Sequence, residues 1–258
     1  MKRIVFFFIL FSSALGSLAQ IWGIPYLTTF DDRRIHFGFT LGMNTLDLRF
    51  THYNTLDDNL QFSADEVRNL DSDYMFELDS VGRAVRADIA SLTPGFTVGI
   101  VSNLRLTENL DLRFLPGLSF GNRKIVYNVP IHDLNNSGNG DVYNLRSTYL
   151  DFPLLLKYKS KRIINQRPYV IGGVAFRYDI SKAANEELLR LKKAGFYAEA
   201  GMGWDAYQQN FRLSFELKYS FGLNNSLTAP PAEPQPKYYN QAFKRLVANM
   251  LILSVHFE

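Results

Sequence analysis

Residues 92–122, LTPGFTVGIVSNLRLTENLDLRFLPGLSFGN, read as two strands joined by a short turn. In the first, Leu92, Pro94, Phe96, Val98, Ile100, Leu104 and Leu106 hold the even positions, broken by Ser102. Thr93, Gly95, Thr97, Gly99, Asn103 and Arg105 lie between them, with Val101 the exception. Thr107-Glu108-Asn109 makes the turn. The alternation then resumes with Leu110, Leu112, Phe114, Pro116, Leu118 and Phe120 on one face. Asp111, Arg113, Gly117, Ser119 and Gly121 take the other, where Leu115 is the exception. A period of two over about ten residues signals a strand. One face is broad and apolar; the other is mostly polar, charged or glycine. Such a hairpin fits a membrane β-barrel with lipid outside and a polar lumen inside. It also fits a soluble sandwich or lipocalin-like barrel with the apolar face turned inward.

The flanking sequence repeats the pattern. Upstream, Ile35, Phe37, Phe39, Leu41 and Met43 alternate with His36, Gly38, Thr40, Gly42 and Asn44. The apolar parity flips at Leu46, Leu48 and Phe50, which suggests a β-bulge with the strand continuing towards Tyr53. Downstream, Leu150, Phe152, Leu154, Leu156 and Tyr158 oppose Asp151, Pro153, Lys157 and Lys159. A fifth strand sets Pro168, Val170, Val174, Phe176 and Tyr178 against Tyr169, Gly173, Ala175, Arg177 and Asp179. A sixth sets Phe196, Ala198, Ala200, Met202 and Trp204 against Tyr197, Glu199, Gly201, Gly203 and Asp205. The seventh alternates Phe211, Leu213, Phe215, Leu217, Tyr219 and Phe221 with Arg212, Ser214, Glu216, Lys218, Ser220 and Gly222. An eighth runs from about Leu246 to Glu258.

The connections alternate long and short. The long ones are Asn54–Ser91, acidic in its middle and with helical spacing near Ala64–Leu70, then Lys124–Asn144, Ala183–Lys193 and Asn224–Lys244. Ala183–Lys193 has the spacing of a short helix, and Asn224–Lys244 is proline-rich. The short ones are the Thr107–Asn109, Ser160–Gln166 and Gln208–Asn210 turns. Four long loops and three turns are what eight antiparallel strands need in an outer-membrane barrel with both termini in the periplasm.

The N-terminus supports export. Lys2 and Arg3 precede an apolar run, Ile4–Leu10, and Ser17-Leu18-Ala19 is a small-x-small cleavage site. Residues 1–19 are therefore expected to be a signal peptide, 20–34 a short lead, and 35–258 the barrel. No other stretch offers about 20 consecutive apolar residues for a membrane helix. The penultimate Phe257 fits a terminal barrel strand. The 258 residues carry a formal net charge of +3 and no cysteine. That charge is too small to point to nucleic acid, and the absence of cysteine excludes disulfides and thiolate chemistry.

The polar faces carry Asp111, Arg113, Asp151, Lys157, Arg177, Asp179, Glu199, Asp205, Arg212, Glu216 and Lys218. A narrow eight-stranded barrel is normally filled by side chains. Opposite charges of this kind are expected to pair across the lumen and plug it. The histidines, His36, His52, His132 and His256, have no metal-site spacing, and no cofactor, metal or catalytic residue is assigned. His52, with Asp47 nearby, could serve as the base of a lipid-modifying barrel, but no nucleophile motif accompanies it. Gly38, Gly42, Gly201 and Gly203 lie inside strands, where small residues accommodate a crowded lumen.

Several blocks resemble the PorT family, outer-membrane β-barrels of the Bacteroidota. They are Phe30-Asp31-Asp32-Arg33-Arg34-Ile35-His36-Phe37-Gly38-Phe39 with Leu41-Gly42-Met43-Asn44, then Pro94-Gly95-Phe96-Thr97-Val98-Gly99 and Leu112–Leu118. Tyr149-Leu150-Asp151-Phe152-Pro153-Leu154-Leu155-Leu156-Lys157 and Arg167–Gly173 continue the match. The resemblance implies an accessory, non-enzymatic role in type IX protein secretion, which in some members of the phylum also serves gliding motility. Its partners would be outer-membrane lipid and other secretion components or cargo. The alternative is an eight-stranded barrel that modifies envelope lipids or binds a small molecule.

Overall fold

The computed structural model describes residues 24–52, 87–131, 140–181, 191–228 and 243–258. Eight antiparallel strands close into a ring. β1 is Ile35–His52. β2 comes in two segments, Ala87–Leu92 and Pro94–Arg105, and β3 in two, Leu110–Phe114 and Gly117–Ile131. β4 is Gly140–Lys159, β5 Gln166–Asp179 and β6 Ala194–Tyr207. β7 is Arg212–Gly222 and β8 Phe243–Phe257. Each strand pairs with the next, and β1 pairs with β8 from Phe39↔Phe257 to Thr51↔Arg245. Closure leaves no sheet edge of the ordinary kind, the device by which a barrel satisfies its backbone in lipid. The breaks in β2 and β3 fall at Thr93 and at Leu115-Pro116, beside prolines that cannot donate to the ladder.

The wall has the polarity of a membrane barrel. Phe37, Ile100, Met202 and Leu253 are 69%, 58%, 64% and 53% exposed on its outer face. Arg113, Lys157, Asp205 and Arg212 are wholly buried inside it. A soluble barrel would reverse that arrangement. Val101 and Leu115, the two exceptions in the opening hairpin, both turn inward. They meet Leu155, Tyr169 and Ile171 in one apolar cluster within the lumen.

The structure corrects several expectations. No bulge occurs at Leu46: the β1–β8 register is unbroken until Thr51/His52. The parity flips because the surroundings change. Leu46 turns inward to join Tyr149, Met250 and Ile252, and Leu48 is buried on the same face. Asp47 and Arg49 face out at this height. Here the strand has left the apolar belt, so its wet side is outside. The second long loop is much shorter than its composition suggested. β3 runs to Ile131 and β4 starts at Gly140, with Lys124↔Asn144 and Val126↔Val142 paired. β2 begins at Ala87 and β8 at Phe243, each inside an expected loop. Leu191 bridges Leu227, so the described end of Ala183–Lys193 is extended, not helical. The expected signal peptide, the helical turn expected near Ala64–Leu70, most of Ala183–Lys193 and His132 lie outside the described residues.

Candidate functional site

The lumen is where the chain gathers its chemistry. β3 presents Asp111 and Arg113 inward, β4 Asp151 and Lys157, β5 Arg177, β6 Glu199 and Asp205, and β7 Arg212, Glu216 and Lys218. These are the expected lumen charges, and all are buried. Asp179 is the exception. It sits half-exposed at the end of β5, where its carboxylate accepts the Ser181 amide at 2.9 Å.

The charges form two layers. Near the end bearing the three short turns, Arg113 donates to Glu216 at 2.9 Å, to Glu258 at 3.0 Å and to Asn103 at 2.8 Å. Arg212 donates to Glu258 at 2.6 Å. Lys157 donates to both Asp205 oxygens at 2.7 Å, and Ser214 bonds the same carboxylate at 2.6 Å. Lys159 pairs with Asp111 at 2.7 Å. The Tyr169 ring lies 3.7 Å from the Lys157 ammonium, and its hydroxyl donates to Glu216 at 2.9 Å. His256 stands 3.4 Å from the same carboxylate. The second layer lies nearer the loops. There Arg177 donates to Asp151 at 2.8 Å, to Ser220 at 2.7 Å and to Glu199 at 2.5 Å, while Lys218 pairs with Glu199 at 2.8 Å. Beyond it Arg123 donates to Ser147 at 2.8 Å and Tyr149 at 2.9 Å.

Removing ions from water costs several kcal/mol each, so layers like these persist only where every charge meets an opposite one or a hydrogen bond. Glu258, just past β8, illustrates the balance. Burial works against its charged form, but Arg212 and Arg113 outweigh it and hold the carboxyl well below its ordinary value. Between the layers lies a cavity of about 30 Å³, bordered by Thr40, Asp151, Arg177, Glu199, Lys218 and His256. It has room for little more than a water molecule.

The turn end is capped. Phe30–Asp32 forms a single 3-10 turn after Leu27, whose φ of 49° reverses the chain. The Asp31 carboxylate accepts the Tyr207 hydroxyl at 2.9 Å, and its carbonyl accepts Arg105 at 2.7 Å. Arg167 lies 3.4 Å from the same carboxylate. Phe30 stacks on His36 at 4.2 Å and lies beneath the Arg212 guanidinium at 4.8 Å. Tyr26 donates its amide to Asn165 at 2.8 Å. The short lead expected before the barrel is therefore a plug across one mouth.

Sequence reasoning missed this plug, and also Lys159, Glu258 and Asn103 as members of the network. Asn103, Lys159 and Glu258 were each on the inward parity. Nothing in the spacing shows that residues 26–32 fold back, because the signal is carried by single contacts with three different turns. Asp47 is half-buried on the outer face opposite Asn249, while His52 is the last residue of β1. Among the described residues no three His, Cys, Asp or Glu side chains converge on a metal-sized site.

The family model described as outer membrane protein beta-barrel domain matches residues 19–228. The chain belongs to that family. It is an outer-membrane barrel. No curated protein matches it. Among solved structures it is similar to the outer membrane protein OprG of Pseudomonas aeruginosa, at 11% identity over 91% of this chain and 96% of that one, TM-score 0.42. The outer membrane protease OmpT of Escherichia coli gives 11% identity over 86% and 95%, TM-score 0.43. Ail, the attachment invasion locus protein of Yersinia pestis, gives 8% over 86% and 96%, TM-score 0.31.

Proposed function

We propose that this barrel is a non-enzymatic accessory component of a protein-secretion machine, the type IX system, and acts through contacts with other proteins. The observation that carries the reading is the filled lumen. Among the described residues, two layers of paired charges and a plug at one mouth fill the lumen, and the cavity between the layers has room for little more than a water molecule. A cylinder of this kind offers its partners its loops, its turns and its outer wall. The resemblance of Phe30–Asn44 and Tyr149–Lys157 to the PorT family supplies the particular machine. In this reading residues 1–19 are cleaved on export, and both termini and the plugged mouth face the periplasm.

The test is a clean deletion in the native host, followed by comparison of secreted cargo in the medium and the periplasm. Cargo trapped in the periplasm, and released again when the wild-type gene is restored, is the expected result. Normal export after deletion would end the secretion reading.

A further inference from the structure

At the turn-end mouth the plug lies on a cluster of cations that it does not fill. Arg162 comes from the turn between β4 and β5, Arg167 from the start of β5 and Arg212 from the start of β7. Their Nη1 atoms stand 3.8, 3.4 and 3.8 Å from the Asp31 carboxylate. A direct guanidinium–carboxylate hydrogen bond spans about 2.7–2.9 Å, so these arginines surround the carboxylate without bonding it. The hydrogen bond that it does accept comes from the Tyr207 hydroxyl. Arg212 is wholly buried, yet among the described residues its Nε and Nη1 donate to no acceptor. Its Nη2 is taken by Glu258.

An aromatic slot adjoins the cations. The Phe30 ring is stacked on His36 at 4.2 Å, with the Arg212 guanidinium 4.8 Å from its centre and the Tyr207 ring edge-on at 6.3 Å. His36, Tyr207 and Arg212 are buried, whereas no residue of the Phe30–Asp32 turn is, and the Asp31 side chain stays 22% exposed. The walls of the site are thus fixed by the barrel, and the plug rests on them through a few side chains. Idle N–H groups on a buried guanidinium cost free energy until an acceptor reaches them. A segment that seats its carboxylate about 1 Å deeper would bond the arginines that Asp31 only approaches.

We propose that this mouth is a docking site for a segment of another protein that carries an aromatic residue followed by an acidic one, and that Phe30-Asp31 is a tethered stand-in for it. The stand-in shows the chemistry required: a ring for the slot between His36 and Arg212, and a carboxylate for the nest of Arg162, Arg167 and Arg212. A tethered ligand competes at about millimolar effective concentration, so the resting barrel keeps the site covered and a partner must bind tightly or be held close. The partner's place in the cell rests on the protein-contact reading above, but binding with purified components decides the site whatever a deletion does to secretion.

The test uses the purified full-length barrel in nonionic detergent and dye-labelled peptides, read by fluorescence anisotropy. One peptide is LTTFDDRR, residues 27–34. The other is a serine-glycine peptide with a single Phe-Asp pair. F30A/D31A empties the site and leaves the wall residues in place, and heat-modifiable migration on gels selects the folded variants. F30A/D31A is expected to bind both peptides, and the wild type to bind them at least about ten-fold more weakly. Adding R162Q/R167Q to F30A/D31A should weaken binding on the order of ten-fold. Adding R33Q/R34Q, which removes the same charge from the exposed residues after the plug, should leave it unchanged. Failure of folded F30A/D31A to bind either peptide overturns the proposal. So does binding of LTTFDDRR alone, which would make the plug a cap for its own barrel only. Equal binding by the wild type would place the peptides elsewhere, and an equal loss in R33Q/R34Q would reduce the effect to net charge. Displacement by inorganic phosphate at matched concentration would make the nest a simple anion site. Each of these results also overturns it.

Discussion

Arg113 is the residue on which most of the lumen network turns. It neutralises Glu216 and Glu258 at once and is wholly buried. Arg113→Met should therefore leave Glu216 without its arginine and Glu258 with Arg212 alone, and cost about 3–5 kcal/mol, measured as a lowered urea midpoint in lipid vesicles. The Lys159–Asp111 pair behaves differently because it is a simple couple. Lys159→Met or Asp111→Leu alone should each cost more than the double variant, since a buried pair replaced by apolar side chains is often close to neutral. Equal or additive losses would show that the two residues do not depend on each other. Glycine makes room for this chemistry. A methyl group on Gly203 would collide with the Tyr169 ring, which is held between Lys157 and Glu216. One on Gly172 would meet the Glu199 carbonyl at 3.6 Å, an ordinary contact. Gly203→Ala should thus lose about 1–3 kcal/mol while Gly172→Ala unfolds like the wild type.

At the scale of elements, the strands were legible and the segments between them were not. Period-two alternation located all eight strands because the lipid face must be apolar along its whole length, whatever the loops do. The same rule explains the error at Leu46. Above the belt the outer face meets water, so Leu46 and Leu48 pack inward with Met250, and an apolar parity flip marks the edge of the membrane instead of a bulge. It also explains why β3 and β4 ran on past their expected ends: Lys124, Asn144 and Arg146 are polar because they stand beyond the apolar belt, yet their backbones stay paired. The plug had no periodic signal at all. Its docking rests on Asp31, which draws Tyr207, Arg105 and Arg167 to one short turn. In Asp31→Ala the amides of Phe30, Asp32 and Arg33, bonded to Leu27, Thr29 and Phe30, should lose their hydrogen-exchange protection. Strand amides should keep theirs. Unchanged protection in the plug would mean that Phe30 on His36, the Tyr26–Asn165 bond and the Arg105 bond to the residue-31 carbonyl hold it without the carboxylate.

For the whole molecule the question is whether the barrel conducts. An ion moving along the axis meets the plug, then the layer around Arg113, Arg212 and Glu258, and then the layer around Arg177, Asp151 and Glu199. Each layer carries both signs in direct contact, so neither a cation nor an anion finds a row of like charges to follow. To pass, it must break pairs whose partners are already desolvated, at several kcal/mol each. The cavity between the layers, about 30 Å³, holds little more than a water molecule. The purified barrel should therefore show no steady current in planar bilayers at about 100 mV, a bias worth only about 2.3 kcal/mol per unit charge. Deleting residues 24–34 opens the turn-end mouth but leaves both layers in place, so that variant should also stay closed. A current that appears only after the deletion would make the plug the gate and the charge layers a lining. A current in the intact barrel would return the molecule to transport and remove the argument for a protein-contact role.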